Sequence, residues 1–230
     1  MNILEVKNLT RTYGKNNNKI FALDDVSFSV KKGEFIAIVG TSGSGKSTLL
    51  HILGGVDKPT NGTVLISEKD IYKLNDDSLT KFRRRNIGLI YQFYNLLPML
   101  NVKENIELPL QLDKKIVKKE DFEEIIKVLD IENRLKHLPN ELSGGQKQRV
   151  AIGRALITKP SIILADEATG NLDSKTSEEI INLFKRLNKN FNQTIIMITH
   201  NLDIASEADR IITIKDGKII SDEVKEHENN

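Results

Sequence analysis

Gly40, Thr41, Ser42, Gly43, Ser44, Gly45, Lys46 and Ser47 follow one another in an order that suits the binding of a phosphate chain. The glycines let consecutive backbone N–H groups turn inward on an anion with no Cβ in the way. Lys46 adds a point charge for the outer phosphates, and the Ser47 hydroxyl is a hard oxygen ligand suited to magnesium. This chemistry needs a strand before the loop and a helix after it. Phe35-Ile36-Ala37-Ile38-Val39 is an apolar, β-rich run suited to a buried parallel strand, and the stretch from Thr48 to Leu53 reads as the first turns of a helix. The helix start contributes N–H donors and the positive end of its dipole, which puts Thr48 at the anion as well.

A second constellation lies far along the chain. Ile162-Ile163-Leu164-Ala165 ends in Asp166 and Glu167. Ligands of an open parallel sheet bind beyond the carboxyl ends of its strands. A strand here, adjacent to the one that feeds the glycine loop, would deliver Asp166 to the magnesium and Glu167 to the space beyond the terminal phosphate. Hydrolysis needs a group that orients or deprotonates an in-line water, and Glu167 is the candidate. Leu142-Ser143-Gly144-Gly145-Gln146 stands before an apparent helix through Val150 and Leu156. A serine hydroxyl and two glycine N–H groups at a helix start make a second anion site, although serine-glycine-glycine alone reads as a helix N-cap. One nucleotide does not need two triphosphate cradles in one chain. The excess suggests that the second cradle closes over a neighbour's nucleotide.

The elements around these motifs are an α/β alternation. Residues 3–38 look β-rich, with Asn16-Asn17-Asn18 as a polar turn, and 62–67 read as a strand. A short polar helix is expected at 76–85, starting at Asp76 or Asp77, and a strand at 87–91. From about 93 to 158 helical spacing takes over. Strands return at 162–165, 195–198 and 211–214, separated by helices at about 174–190 and 201–207. Lys215-Asp216-Gly217-Lys218 signals a hairpin, and the tail after about Asp222 reads as polar and frayed. The expected organisation is therefore a core from residues 1–92 and 159–230 with a helical insert at 93–158. Of 230 residues, 34 are basic and 32 acidic, a net charge of +2 that argues against nucleic acid as the main partner. Cysteine is absent, which excludes disulfides, thiolate metal sites and cysteine nucleophiles and suits a reducing cytosol. The N-terminus lacks a secretion signal, and no window approaches the roughly 18 apolar residues of a membrane span. Work at a membrane would need another chain to hold this one there.

The phosphate loop, Leu142-Ser143-Gly144-Gly145-Gln146, the Asp166-Glu167 pair and a late histidine occur here in the order found in the nucleotide-binding subunit of ABC transporters, which the chain resembles over essentially its whole length. The resemblance implies a P-loop NTPase core with an antiparallel β subdomain and an inserted α-helical subdomain. It implies ATP and Mg2+ as ligands, and head-to-tail dimers that sandwich ATP between one chain's phosphate loop and Ser143, Gly144, Gly145 and Gln146 of the other. It also implies roles by position. Tyr13 stacks on adenine, Gln92 touches magnesium and water, His200 contacts the terminal phosphate, Asp166 reaches the metal through water, and Asp173 crosses the dimer interface. Tyr91-Gln92-Phe93-Tyr94-Asn95-Leu96-Leu97-Pro98, Glu104-Asn105-Ile106-Glu107-Leu108-Pro109-Leu110 and Thr169-Gly170-Asn171-Leu172-Asp173-Ser174-Lys175-Thr176 are similar to the MacB/LolD branch. Those ATPases serve permeases for macrolide or antimicrobial-peptide efflux, or for lipoprotein release, by a mechanical stroke on an extracytoplasmic region. This implies a place on the cytoplasmic side of the membrane, bound to a permease, with a periplasmic or extracellular adaptor as a further partner. Alternatives are a subunit that gates a cell-wall enzyme and, more remotely, a soluble ATPase acting on nucleic acid. Ala168 departs from the family's usual proline, which should loosen the turn after Glu167. Gly153 stands where alanine is commoner, at a helix cost of up to about 1 kcal/mol. Lys81 and Arg83-Arg84-Arg85 form a basic cluster that suits either a solvated helix face or anionic lipid headgroups or an acidic permease loop.

Overall fold

The computed structural model describes residues 1–14 and 19–225. The turn expected at Asn16-Asn17-Asn18 lies outside the described residues, as does the last part of the tail. Two sheets organise the chain. Strands β1 (Asn2–Tyr13), β2 (Ile20–Lys31), β4 (Asn61–Ile66) and β5 (Lys69–Asp70) form an antiparallel sheet in the order β2-β1-β4-β5. Strands β3 (Phe35–Val39), β6 (Ile87–Tyr91), β7 (Ile162–Asp166), β8 (Thr194–Ile198), β9 (Arg210–Lys215) and β10 (Lys218–Val224) form the second sheet, in the order β10-β9-β3-β8-β7-β6. It is parallel except for β10, which returns antiparallel to β9.

The near-continuous apolar runs of β3, β7 and β8 exist because both faces of this sheet are covered. Phe35, Ala37, Val39, Ile163, Ala165, Ile195 and Met197 enter one core, with residues of the helices α3 (Val102–Leu112), α4 (Lys119–Leu129), α5 (Gly144–Leu156) and α6 (Ser174–Phe191). Ile36, Ile38, Ile162, Leu164, Ile196 and Ile198 enter the other, with α1 (Lys46–Leu53) and the antiparallel sheet. Each strand thus divides its side chains between two cores by simple alternation. Residues 93–158 contain helices and short 3₁₀ turns and no strand among the described residues.

Several expectations need correction. The strand carrying Asp166 is not adjacent to the loop-feeding strand, because β8 lies between β3 and β7. Helix α1 leans across β8 to pack on β7, and this brings the start of α1 near Asp166 all the same. The tail stays ordered as strand through Val224, where β10 pairs with Arg210. The hairpin before it turns through Asp216 at φ 49° and Gly217 at φ 76°, the left-handed pair that a two-residue turn requires. Helix α2 (Asp76–Asn86) is capped by Asn75, whose side chain accepts from the Ser78 N–H at 2.8 Å. The last short helix, α7, covers only Leu202–Ala205.

Arg83 donates to the Gly55 carbonyl, and Arg84 and Arg85 both bind Asp113, while Lys81 and Arg85 stay exposed, so the basic cluster is engaged within the fold on one side and solvated on the other. Gly153 also has a packing reason. A Cβ there would stand 2.7 Å from Leu129 Cδ1 and 3.1 Å from Ile106 Cδ1, so the glycine lets α3 and α4 close onto α5.

Candidate functional site

The strand registers gather the site. Tyr91 pairs with Asp166, Asp166 with Ile198, and Ile198 with Ile38. Gln92, Glu167, Thr199 and His200, and the phosphate loop therefore leave the same edge of the sheet at neighbouring positions. Ile38 and its partner Ile198 lie 160 residues apart in the sequence, and the fold brings such distant segments into one row.

The phosphate loop is preformed. Gly45 precedes α1 at φ 106°, and a Cβ on it would meet the Ala22 carbonyl at 2.2 Å, so no side chain fits. Gly43 turns at φ 77° with open space where its Cβ would be, which leaves room for a ligand. The β9–β10 turn props the loop from behind, where the Gly217 N–H donates to the Ser44 carbonyl at 3.0 Å. Lys46 is buried and folds back on the loop. Its Nζ donates to the carbonyls of Gly40 at 2.9 Å and Thr41 at 2.7 Å and lies 3.4 Å from Ser44 Oγ. Burial pushes its pKa down, and the charges of Glu167 and Asp166 oppose that fall. Thr41, Ser42, Gly43 and Ser47 are exposed and Thr48 is half-buried, so this rim is open to a ligand.

Asp166 ends β7. Burial holds its carboxyl above the usual carboxylate range, against the opposing influence of His51, the Ser47 hydroxyl and Lys46. Its Oδ1 is buried and has no hydrogen-bond partner. A buried carboxylate oxygen without a donor is costly, and a cation or its bound water would relieve that cost. No group of three or more His, Cys, Asp or Glu side chains among the described residues is placed to hold a metal alone. The donors that fit are all oxygens, from the Ser47 hydroxyl, the Asp166 carboxylate and the Gln92 amide, together with phosphate. That set suits a hard cation such as Mg2+.

Glu167 occupies the left-handed region at φ 49°, uncommon for a glutamate and a conformation that collects at functional turns. Its N–H donates to the Ile198 carbonyl at 3.1 Å, tying it to the neighbouring strand. Its carboxylate pairs with His200, whose Nδ1 lies 2.9 Å from Oε1 and 2.7 Å from Oε2. The two residues flank a polar groove of about 670 Å³. Ala168 is buried behind Glu167, and the turn there closes through the Gly170 N–H to the Glu167 carbonyl at 2.9 Å.

Gln92 meets Asn171 of the loop between β7 and α6, with its Nε2 3.1 Å from Asn171 Oδ1. Tyr13 closes β1, half-exposed. Its hydroxyl donates to Asp57 Oδ2 at 2.9 Å, and the Arg11 guanidinium sits 4.6 Å from its ring centre. Arg11 also donates to Asp57 Oδ1 at 2.8 Å. Neither Arg11 nor Asp57 stands out in the sequence, because 46 residues separate them and only the fold shows that they brace Tyr13.

Ser143, Gly144, Gly145 and Gln146 begin α5, in the helical insert. Ser143 Oγ accepts from the Gln146 N–H at 3.3 Å, and Gln146 Oε1 accepts from the Ser143 N–H at 3.0 Å, a reciprocal capping box. The N–H groups of Gly144 and Gly145, in the first helical turn, have no partner within the helix. No hydrogen bond among the described residues joins 143–146 to the phosphate loop. Gly145 packs against α6, where a Cβ would meet Thr176 Cγ2 at 2.5 Å. Asp173 caps α6, accepting from the Thr176 N–H at 2.9 Å and from its hydroxyl at 2.6 Å, and these bonds lower its pKa. Phosphate loop, Asp166, Glu167, His200 and Gln92 therefore come together within one chain. Ser143–Gln146 and Asp173 form a separate surface.

The family described as ABC transporter matches residues 23–170. The dimeric, post-hydrolysis structure of the ATP-binding cassette MJ0796 bound to ADP and Pi is 44% identical with a TM-score of 0.87, and the match covers 97% of this chain and 99% of that one; MJ0796 is from Methanocaldococcus jannaschii. The lipoprotein-releasing system ATP-binding protein LolD of Cytophaga hutchinsonii is 44% identical over 95% of this chain and 99% of its own length. The macrolide export ATP-binding/permease protein MacB of Hyphomonas neptunium is 45% identical over 96% of this chain but only 34% of its own length.

Proposed function

Because the chain belongs to the ABC transporter family, we propose that it is the ATP-binding and ATP-hydrolysing subunit that powers a membrane permease of the MacB/LolD type. The observation that carries this reading is the convergence of the preformed phosphate loop, the unpartnered Asp166 oxygen and the Glu167–His200 pair on one sheet edge. Residues 40–48 cradle the phosphates while Lys46 leaves the loop carbonyls for phosphate oxygens. Ser47 and Gln92 would hold Mg2+, and Asp166 would hold it through water. The cation, when bound, offsets the charge gathering on the phosphates. Glu167 orients and deprotonates the attacking water, and His200, already paired with Glu167, contacts the terminal phosphate. Tyr13 offers one ring face to the adenine, with Arg11 on its other face.

Ser143, Gly144, Gly145, Gln146 and Asp173 act in trans, in a head-to-tail homodimer that clasps two ATP molecules. Their separation from the phosphate loop within the chain supports that reading, as does the dimeric state of MJ0796. No helix among the described residues is long and apolar enough to cross a membrane. Phe93, Met99, Leu112 and Ile116, which stand 60% exposed or more on the helical insert, offer an apolar surface to a membrane-bound partner. We place the subunit on the cytoplasmic side, peripheral through its permease, with the stroke delivered to an extracytoplasmic region. Relatives named for macrolide export and for lipoprotein release support efflux and extraction alike. Glu167→Gln tests the core of this reading. ATP turnover should fall by about 100-fold or more, the range for losing a general base, and an ATP-bound dimer should accumulate on gel filtration. Normal turnover would overturn it.

A further inference from the structure

The loop between β7 and α6 makes a two-point contact with Gln92. Asn171 Nδ2 donates to the Gln92 main-chain carbonyl at 3.2 Å, and Gln92 Nε2 donates to Asn171 Oδ1 at 3.1 Å. These two bonds fix the orientation of both amides by elimination. A main-chain carbonyl can only accept, so the Asn171 atom facing it must be the NH2. The other end of Asn171 is then its carbonyl oxygen, which also only accepts. Gln92 must therefore present its nitrogen to Asn171, and its Oε1 is the atom left for a ligand. A free glutamine side chain would offer either atom with little preference, and an NH2 group turned toward a cation repels it.

Gly170 completes the arrangement. A Cβ on it would stand 2.8 Å from Gln92 Nε2 and 3.3 Å from Cδ, so the absence of a side chain leaves room for the amide in this position. The same short loop carries Glu167, whose carbonyl accepts from the Gly170 N–H, and ends at Asp173, the cap of α6.

We propose that Asn171 is a positioning residue that turns the Gln92 amide oxygen toward the cation and ties that orientation to the loop running to Asp173. The proposal rests on the reading of Gln92 as a cation ligand. Its consequence is that a shift of the loop at its Asp173 end reaches the cation site through Asn171, without passing through the nucleotide.

The test is calorimetric binding of the non-hydrolysable analogue AMP-PNP to the full chain, in Mg2+ and in EDTA. Asn171→Ala should reduce the Mg2+-dependent gain in affinity by about fivefold, the worth of one modest hydrogen bond, and leave affinity in EDTA unchanged. Gly170→Ala, which crowds the same amide from the other side, should give a similar loss. Gln92→Glu in the Asn171→Ala background presents oxygen at both positions and should restore the gain, a rescue that a merely structural role would not show. An unchanged Mg2+ gain in both single variants overturns the proposal, as does a loss that appears equally in EDTA or resists the rescue. Failure of the unaltered chain to bind AMP-PNP at all would instead remove the nucleotide-site reading beneath it.

Discussion

Replacing Asp166 by asparagine should make the nucleotide-free chain more stable and its cation response weaker. The carboxyl is held above the usual range, chiefly by burial, and Oδ1 has no donor. A buried polar group without a partner costs about 1–3 kcal/mol, more when it is charged; with the side chain only half-buried and nearby Lys46 and His51 favouring the charge, the part that the charge itself contributes is about 1 kcal/mol. Asp166→Asn keeps the shape and removes the charge. Unfolding followed by calorimetry in EDTA at pH 7 should then show a midpoint roughly 2–4 °C higher, the response of a chain of this size to that energy.

The sign with pH is definite. A carboxyl whose folded pKa is raised weakens the fold once pH exceeds its unfolded value and costs nothing below it. The two chains should therefore melt alike below about pH 4, near the free carboxyl value, separate as pH rises from there toward the folded value, and keep a constant gap above it. In parallel, the Mg2+-dependent gain in AMP-PNP affinity should be lost. A lower melting point for Asp166→Asn at pH 7 would refute the reasoning, since the carboxylate would then be a net prop of the fold rather than a ligand held ready.

Lys46→Ala should weaken ATP binding roughly 100-fold in calorimetric titration, since one charge-assisted contact is worth up to about 3 kcal/mol. Tyr13→Ala should raise the KM for ATP about 5- to 100-fold with kcat little changed, matching about 1–3 kcal/mol for a base stacked on an aromatic ring. Tyr13→Phe, which keeps the ring and loses only the bond to Asp57, should stay within a few-fold of the unaltered chain. Gly153→Ala should lower the melting temperature, because overpacking against Leu129 and Ile106 costs about 1–3 kcal/mol, more than the roughly 1 kcal/mol of helix propensity gained. A rise in melting temperature would show that α3 and α4 have room to yield.

The parts of this molecule that the sequence made legible are those with short-range causes. The apolar runs at Phe35–Val39 and Ile162–Ala165, the turn at Asp216-Gly217 and the glycine loop each carry their physics within a few residues. Strand order was not legible in the same way. The presence of β8 between β3 and β7 is decided by how α1 and the later helices pack, and two apolar runs carry no record of which neighbours they choose. Side-chain partnerships across long separations were hidden for the same reason. Arg83, Arg84 and Arg85 read as one basic face until Gly55 and Asp113 appear beside them. Gly153 read as a propensity defect because its neighbours Leu129 and Ile106 lie on other helices. Tyr13 was legible as a candidate, but its bracing by Arg11 and Asp57 was not.

The ammonium of Lys46 is seated on the carbonyls of Gly40 and Thr41, and under the proposed function it would be a placeholder for the nucleotide. Arrival of a triphosphate would then swap one set of bonds for another at a cavity that already has its shape, and departure of the products would let the placeholder return. A chain built this way could idle between turnovers without its entrance collapsing, and the cost of resetting would fall on one flexible side chain rather than on refolding a loop.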